Sequence, residues 1–182
     1  MVTAVRAGNT YVYERLFRTY YAPLCEFAFQ YVHDDDVAEE VVQHVLVSLW
    51  MRRETWQVRS TVRAYLYGAT RNRALSWRKK SKRYALHLRR VWQFAAADLP
   101  ADRDARHLEN RVDAVRLFEA AVARLSERRQ TMLLLRVSMG LSYREIAETL
   151  GTTVKNVETT LARIIRQLER EVPAFLTERS GP

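Results

Sequence analysis

Apolar residues recur three and four positions apart along most of this chain, and no stretch shows the sustained apolar–polar alternation of a strand. The first run, Tyr11 to Tyr31, places Tyr13, Leu16, Phe17, Tyr20, Leu24, Phe27, Ala28 and Tyr31 on one side, which predicts a helix kinked or interrupted at Pro23. A second run opens on Asp34, Asp35 and Asp36, where Asp36 and Glu39 have the spacing of a capping box and carboxylates suit the positive end of the helix dipole. It continues to about Arg53 with Val37, Val41, Val45 and Leu49 inward and Val42 and Leu46 beside them. Glu39, Glu40, Gln43 and His44 occupy its outer side.

Glu54 to Ser60 has no helical period and reads as a loop that carries Trp56 among polar groups. Ser60 or Thr61 caps the next helix, in which aromatics and arginines interleave from Arg63 through Tyr65, Tyr67, Arg71, Asn72, Arg73 and Trp77 into RKKSKR. Periodicity weakens from about Tyr84 to Val112, a mixed-charge stretch read as a tether. It resumes at Ala114 to Leu125, and Ser126 caps a further helix that Gly140 ends.

The last pattern is the most informative. Ser142 and Glu145 have capping-box spacing, Ile146, Ala147 and Leu150 share a face, and Gly151 stops the helix. Thr153 caps a second helix with Val154, Val157, Leu161, Ile164, Ile165 and Leu168 inward, leaving Lys155, Asn156, Glu158, Thr159, Thr160, Arg163 and Arg166 outward. Two short helices around a glycine turn, the second with a cationic and hydrogen-bonding face, are the layout of a helix-turn-helix that enters a DNA major groove. Pro173 closes that helix.

Composition sharpens this picture. A chain of 182 residues with 48% hydrophobic residues and only 5 Gly and 4 Pro is predicted to be all-α: two small helical domains joined by a linker, the C-terminal one carrying the helix-turn-helix. No segment has the unbroken apolar length of a membrane span and the N-terminus lacks the apolar stretch of a signal peptide, so the expected location is the cytoplasm, without membrane insertion. The single cysteine, Cys25, lies among Leu24, Phe27 and Ala28 and reads as a small core residue.

The net charge of +9 is unevenly placed. No Lys or Arg occurs between Thr19 and Met51, where Glu26, Asp34, Asp35, Asp36, Glu39 and Glu40 are acidic, whereas Arg52 to Arg90 holds thirteen basic residues against Glu54 alone. Segregation this sharp predicts two different partners, one of them nucleic acid. Interleaved arginines and aromatics suit single-stranded bases. Three readings remain open on these residues: a solvated helical protein, a dimeric DNA-binding regulator, or a nuclease or deaminase using Asp34 to Glu40. Against the last, no second ligand cluster follows the acidic run, and His33, His44, His87 and His107 are scattered.

Taken together, DDDVAEEVVQHVLVSLW, TVRAYLYGATRNRALSWRKK and LSERRQTMLLLRVSMGLSYREIAETLGTTVKNVETTLARIIRQL resemble, in order, regions 2.1–2.2, 2.3–2.4 and 4 of the extracytoplasmic-function (group IV) sigma factors of bacterial RNA polymerase. The resemblance implies a region 2 domain over residues 1–84, a linker over 85–112 and a region 4 domain over 113–182. It implies that Glu39, Glu40, Gln43, His44, Leu49 and Trp50 dock on core polymerase, and that Trp56, Ser60, Arg63, Arg71, Asn72 and Arg73 melt the −10 element. It further implies that Lys155, Asn156, Thr159, Thr160 and Arg163 read the −35 element, with Arg144 on the phosphates. The implied partners are core RNA polymerase, promoter DNA and an anti-sigma factor, which in such systems can be membrane-bound. No catalytic residue, metal or cofactor is implied: such a protein is not an enzyme.

Overall fold

The computed structural model describes residues 1–58, 61–91 and 111–171, the side chains of 82–91 and 111–116 excepted. Ser60, the tether between residues 92 and 110 and the ending assigned to Pro173 lie outside the described residues. Among the described residues there are helices and no strand: α1 Val2–Arg6, α2 Thr10–Val32, α3 Asp35–Met51, a 3-10 turn Arg53–Thr55, α4 Val62–Val91, α5 Arg111–Ala123, α6 Glu127–Val137, α7 Tyr143–Leu150 and α8 Val154–Glu171. The helices form two compact units, one holding α1 to α4 and the other most of α5 to α8.

In the first unit α2 packs on both α3 and α4, and α3 packs on α4. Asn9 caps α2 by accepting from the Val12 N–H at 3.0 Å, and the helix runs unbroken through Pro23 to Val32, so Pro23 does not interrupt it. His33 ends it at φ 55°, its N–H reaching the Phe29 carbonyl at 2.9 Å. The predicted stripe holds its inner members: Leu16, Leu24, Phe27, Ala28 and Tyr31 are buried against Val41, Val42, Val45, Leu46 and Leu49 of α3 and Leu66 and Tyr67 of α4. Tyr13 ties the two ends of the hairpin by donating its hydroxyl to the Leu46 carbonyl at 2.9 Å.

One local expectation is corrected, and the structure settles or extends others. The cap of α3 is Asp34, whose carboxylate accepts from the Val37 N–H at 3.0 Å, not Asp36, which lies inside the first turn. Thr61 caps α4, its hydroxyl accepting from the Ala64 N–H at 3.0 Å. That helix then continues to Val91, past the boundary expected at residue 84, because RKKSKRYALHLRR is made almost wholly of good helix formers and holds neither Gly nor Pro to stop it. α5 likewise begins at Arg111, inside the expected linker. The five-residue α1, which has too few residues to show a period, buries Val5.

In the second unit α5 and α6 both pack on α8, around Ala121, Met132, Leu135, Val157, Leu161, Ile164 and Leu168. Ser126 stands at the N-cap of α6 as expected, without a side-chain capping bond. Gly140 at φ 62° and Gly151 at φ 60° end α6 and α7: the following N–H groups, of Leu141 and Thr152, reach back to the carbonyls of Leu135 and Ala147 at 2.9 and 2.8 Å. Val154 and Ile165, expected inward, are 44% and 47% exposed. Each precedes or follows the stripe of Val157, Leu161, Ile164 and Leu168 by a rotation that leaves it at the edge, Ile165 being about 100° round the helix from Ile164.

Candidate nucleic-acid and partner surfaces

The helix-turn-helix is held by local hydrogen bonds that the sequence dictates. Ser142 accepts from the Glu145 N–H at 3.3 Å while Glu145 accepts from the Ser142 N–H and hydroxyl at 2.9 Å each, a complete capping box for α7. The Thr153 hydroxyl accepts from the Asn156 N–H at 3.2 Å and so caps α8. Ser142→Ala is expected to destabilise the second unit by about 1 kcal/mol, read as a lower urea midpoint with an unchanged m-value.

With Val157, Leu161, Ile164 and Leu168 buried, α8 exposes Lys155, Asn156, Glu158, Thr159 and Arg163, with Thr160 half-buried beside them. Arg144 is exposed on α7. Asn156 donates its amide to the Thr152 hydroxyl at 2.8 Å and accepts from the Thr160 hydroxyl at 3.5 Å, while Thr159 donates to the Lys155 carbonyl at 2.8 Å. Those bonds fix side chains that would otherwise spend rotamer entropy on binding. The six residues expected to meet duplex DNA therefore stand on exposed or half-exposed parts of α7 and α8, one polar and one cationic set together.

In the first unit, an open cleft of about 460 Å³ lies between the C-terminal half of α3, the loop after the 3-10 turn and α4; His44, Arg52, Trp56, Tyr65, Asn72 and Arg73 are among its walls. The structure thus brings together three of the residues expected to act on single-stranded DNA, Trp56, Asn72 and Arg73. Trp56 is 4% exposed, lies edge-on to Tyr65 at 5.7 Å between centroids, and keeps an indole N–H buried without a partner. It serves as a rigid wall. Arg63 and Arg71 are half-buried and do not line the cleft; Arg63 sits beside Tyr67, whose hydroxyl pKa is raised by burial against the opposing effect of that arginine.

The outer face of α3 exposes Glu39, Glu40, Gln43 and His44, as expected. His44 also lines the cleft, its ring 3.4 Å from the Ser48 hydroxyl. Leu49 is a core residue, 3% exposed, and Trp50 is half-buried, with the Tyr13 ring tilted against it at 4.7 Å between centroids and the Arg53 guanidinium at 4.7 Å from its ring. The apolar side chains that α3 does present are Val47, 57% exposed, and Met51, 74% exposed. Their signal is in the sequence: Glu40, His44, Val47 and Met51 follow one another by four, three and four residues, a single outward stripe.

Cys25 is half-buried, not fully in the core, and burial, with the Glu39 carboxylate next, pushes its thiol up and away from the thiolate a nucleophile needs. Among the described residues no group of His, Cys, Asp or Glu is placed to hold a metal ion, and Asp34 is engaged as a cap. No described helix is long and apolar enough to cross a membrane.

Comparison with known proteins covers both units. Residues 16–84 match the family model of sigma-70 region 2 and residues 116–168 that of sigma-70 region 4. The chain is 25% identical over 166 residues to the RNA polymerase sigma factor YlaC of Bacillus subtilis (strain 168), covering 87% of this chain and 91% of that one. It is 24% identical over 170 residues to the ECF RNA polymerase sigma factor SigX of the same organism, covering 91% and 86%. Its fold is similar to that of the sigma factor RpoE solved in complex with the anti-sigma factor NepR from Bartonella quintana, with a TM-score of 0.60 at 20% identity over 88% of this chain and 96% of that one. With a region 2 unit and a region 4 unit in the family's order, this chain belongs to the sigma-70 family of RNA polymerase sigma factors.

Proposed function

We propose that this sigma factor docks on core RNA polymerase through the outward face of α3, opens the −10 element at the cleft of the first unit and reads the −35 element with α8. The observation that carries the reading is the cleft, where Asn72 and Arg73 of α4 face a wall made by Trp56 and His44. A cleft of about 460 Å³ is large enough for a single extruded base, and its donors are of the kind that pair with a base edge and a phosphate. Unpairing costs a few kcal/mol per base, and capture of the base offsets it, so opening requires no nucleotide hydrolysis and no chemical step by this chain. Residues 1–84 would then act as region 2, 85–112 as the connection and 113–182 as region 4, in the cytoplasm, where the polymerase works. The similarity to a sigma factor solved with an anti-sigma factor supports a further partner of that kind, membrane-bound or not, that holds the chain inactive.

Run-off transcription with purified core polymerase on fragmented genomic DNA tests this directly. The chain is expected to bind core and to start transcripts at discrete sites; failure of either, or binding of an operator by dimers without polymerase, refutes the reading. Asn72→Ala is expected to keep core affinity and to lower the yield of open complex about tenfold, the equivalent of one hydrogen bond of about 1 to 1.5 kcal/mol, read by permanganate reactivity of unpaired thymines. A variant that opens promoters as well as the parent removes Asn72 from the base-holding set.

A further inference from the structure

One cluster of cations extends beyond the surfaces described above, sharing only Arg163 with them. Arg163, Arg166 and Arg170 of α8 and Arg129 of α6 line an open cleft of about 600 Å³, with Gln167 and Glu169 completing it. All four arginines are exposed, and none is in an ion pair among the described residues; within the group, the Arg170 guanidinium donates to the Arg166 carbonyl at 3.2 Å. Four guanidinium groups thus face a single carboxylate, a placement that repels itself unless an anion joins it.

The position of the cleft along α8 identifies the anion. At about 100° per residue, Lys155, Thr159, Arg163, Arg166 and Arg170 fall within one sector of about 80°, opposite the buried Val157, Leu161, Ile164 and Leu168. The arginines therefore continue the reading stripe. From Lys155 to Arg170 the helix rises about 22 Å, whereas a major groove is about 12 Å wide. A recognition helix contacts base edges with its N-terminal residues. Its last two turns are then carried past the base edges onto the sugar–phosphate wall, where the fork of a guanidinium matches two phosphate oxygens. Arg129 adds a cation from a different helix, so the anion is held from two directions.

We propose that Arg129, Arg166 and Arg170 form a phosphate clamp on the DNA backbone beside the segment that α8 reads, holding the helix at a fixed depth in the groove. The clamp rests on the reading of α8 as the −35 reader. Glu169 opposes it and limits binding to DNA without a promoter.

The test is duplex binding by the full chain, measured by fluorescence anisotropy on a random-sequence duplex of about 30 base pairs between about 50 and about 200 mM salt. Arg129→Gln/Arg166→Gln/Arg170→Gln is expected to flatten the slope of log K against log salt by about 2 to 3 units, about 0.9 for each phosphate that no longer has an arginine on it. Glu169→Gln is expected to tighten binding, and Arg15→Gln/Arg18→Gln, which removes exposed charge from α2, to leave the slope unchanged. A triple variant with the parent's slope overturns the clamp, as does a parent with no measurable duplex binding at the lowest salt. Loss of core-polymerase binding with the slope retained overturns it too, and assigns the cleft to an acidic protein surface. Run-off transcription by the parent tests the sigma-factor reading separately: a chain that fails with core yet shows the flattened slope in the triple variant keeps the clamp and loses that reading.

Discussion

Phe27→Ala is expected to cost the first unit about 3 to 5 kcal/mol, the largest loss of stability for any single truncation in it. The ring is fully buried and meets two others edge to face, Tyr31 of its own helix at 5.3 Å and Tyr67 of α4 at 5.0 Å between centroids. Tyr31 and Tyr67 are themselves 3% and 2% exposed, so neither can swing into the space without opening its own. The substitution therefore removes the transfer free energy of the ring, two aromatic pairings and the packing of α2 on α4, and leaves a cavity that the surroundings fill poorly. A loss of this size is a large part of the 5 to 15 kcal/mol typical of a domain. All four tryptophans, Trp50, Trp56, Trp77 and Trp92, lie in the first half of the chain or just beyond it, so tryptophan fluorescence in urea reports on this unit. A midpoint lowered by less than the equivalent of about 1 kcal/mol would show that Phe27 is not where α2 and α4 are joined.

Phe27 also marks what the sequence makes legible. Its place in a stripe of three-and-four spacing is a local property of one helix, and so are the capping box of Ser142 and Glu145 and the cap at Thr153; all of these stand in the structure as the residues predict. The misreadings arise where local pattern is degenerate or where the deciding neighbour is distant in the chain. Three consecutive aspartates offer three possible caps, and only the backbone bend at Asp34 selects one. Trp56 sits in a polar heptapeptide, and nothing nearby in the sequence announces that Tyr65 will cover it. Arg129 and Arg166 share a cleft only because α6 packs on α8, a fact that no periodicity contains.

Leu49 and Trp50 illustrate the same limit with a functional consequence. A family resemblance places docking residues by position, whereas burial depends on packing: Leu49 belongs to the core and Trp50 is half-buried beside Tyr13 and Arg53. The outward stripe of Glu40, His44, Val47 and Met51 is what α3 leaves available, an apolar end of two residues beside a polar rim of Glu39, Glu40, Gln43 and His44. Exposed apolar side chains bordered by polar ones are the composition of a protein interface.

Val47→Glu/Met51→Glu is accordingly expected to lower affinity for core polymerase about 100-fold or more while leaving the fold intact. Both side chains are more than half exposed, so glutamate at either position costs little in the free protein, where water solvates it. In the docked state each carboxylate would be desolvated against an apolar partner surface that Val47 and Met51 would otherwise cover. A cost of about 1.4 kcal/mol per site, modest for a central interface residue, multiplies to about 100-fold for two. Competition of the variant with labelled parent for core measures the loss; circular dichroism and the tryptophan-fluorescence midpoint should match the parent, which separates docking from folding. Because Val47 and Met51 lie outside the cleft lining and on a different unit from α8, the salt slope of duplex binding should also be the parent's. An affinity for core within about threefold of the parent, a difference under about 0.7 kcal/mol, would remove this stripe from the docking surface and leave Glu39 and Gln43, bridged by the Tyr21 hydroxyl at 3.3 Å to each, as the part of α3 that remains to be tested.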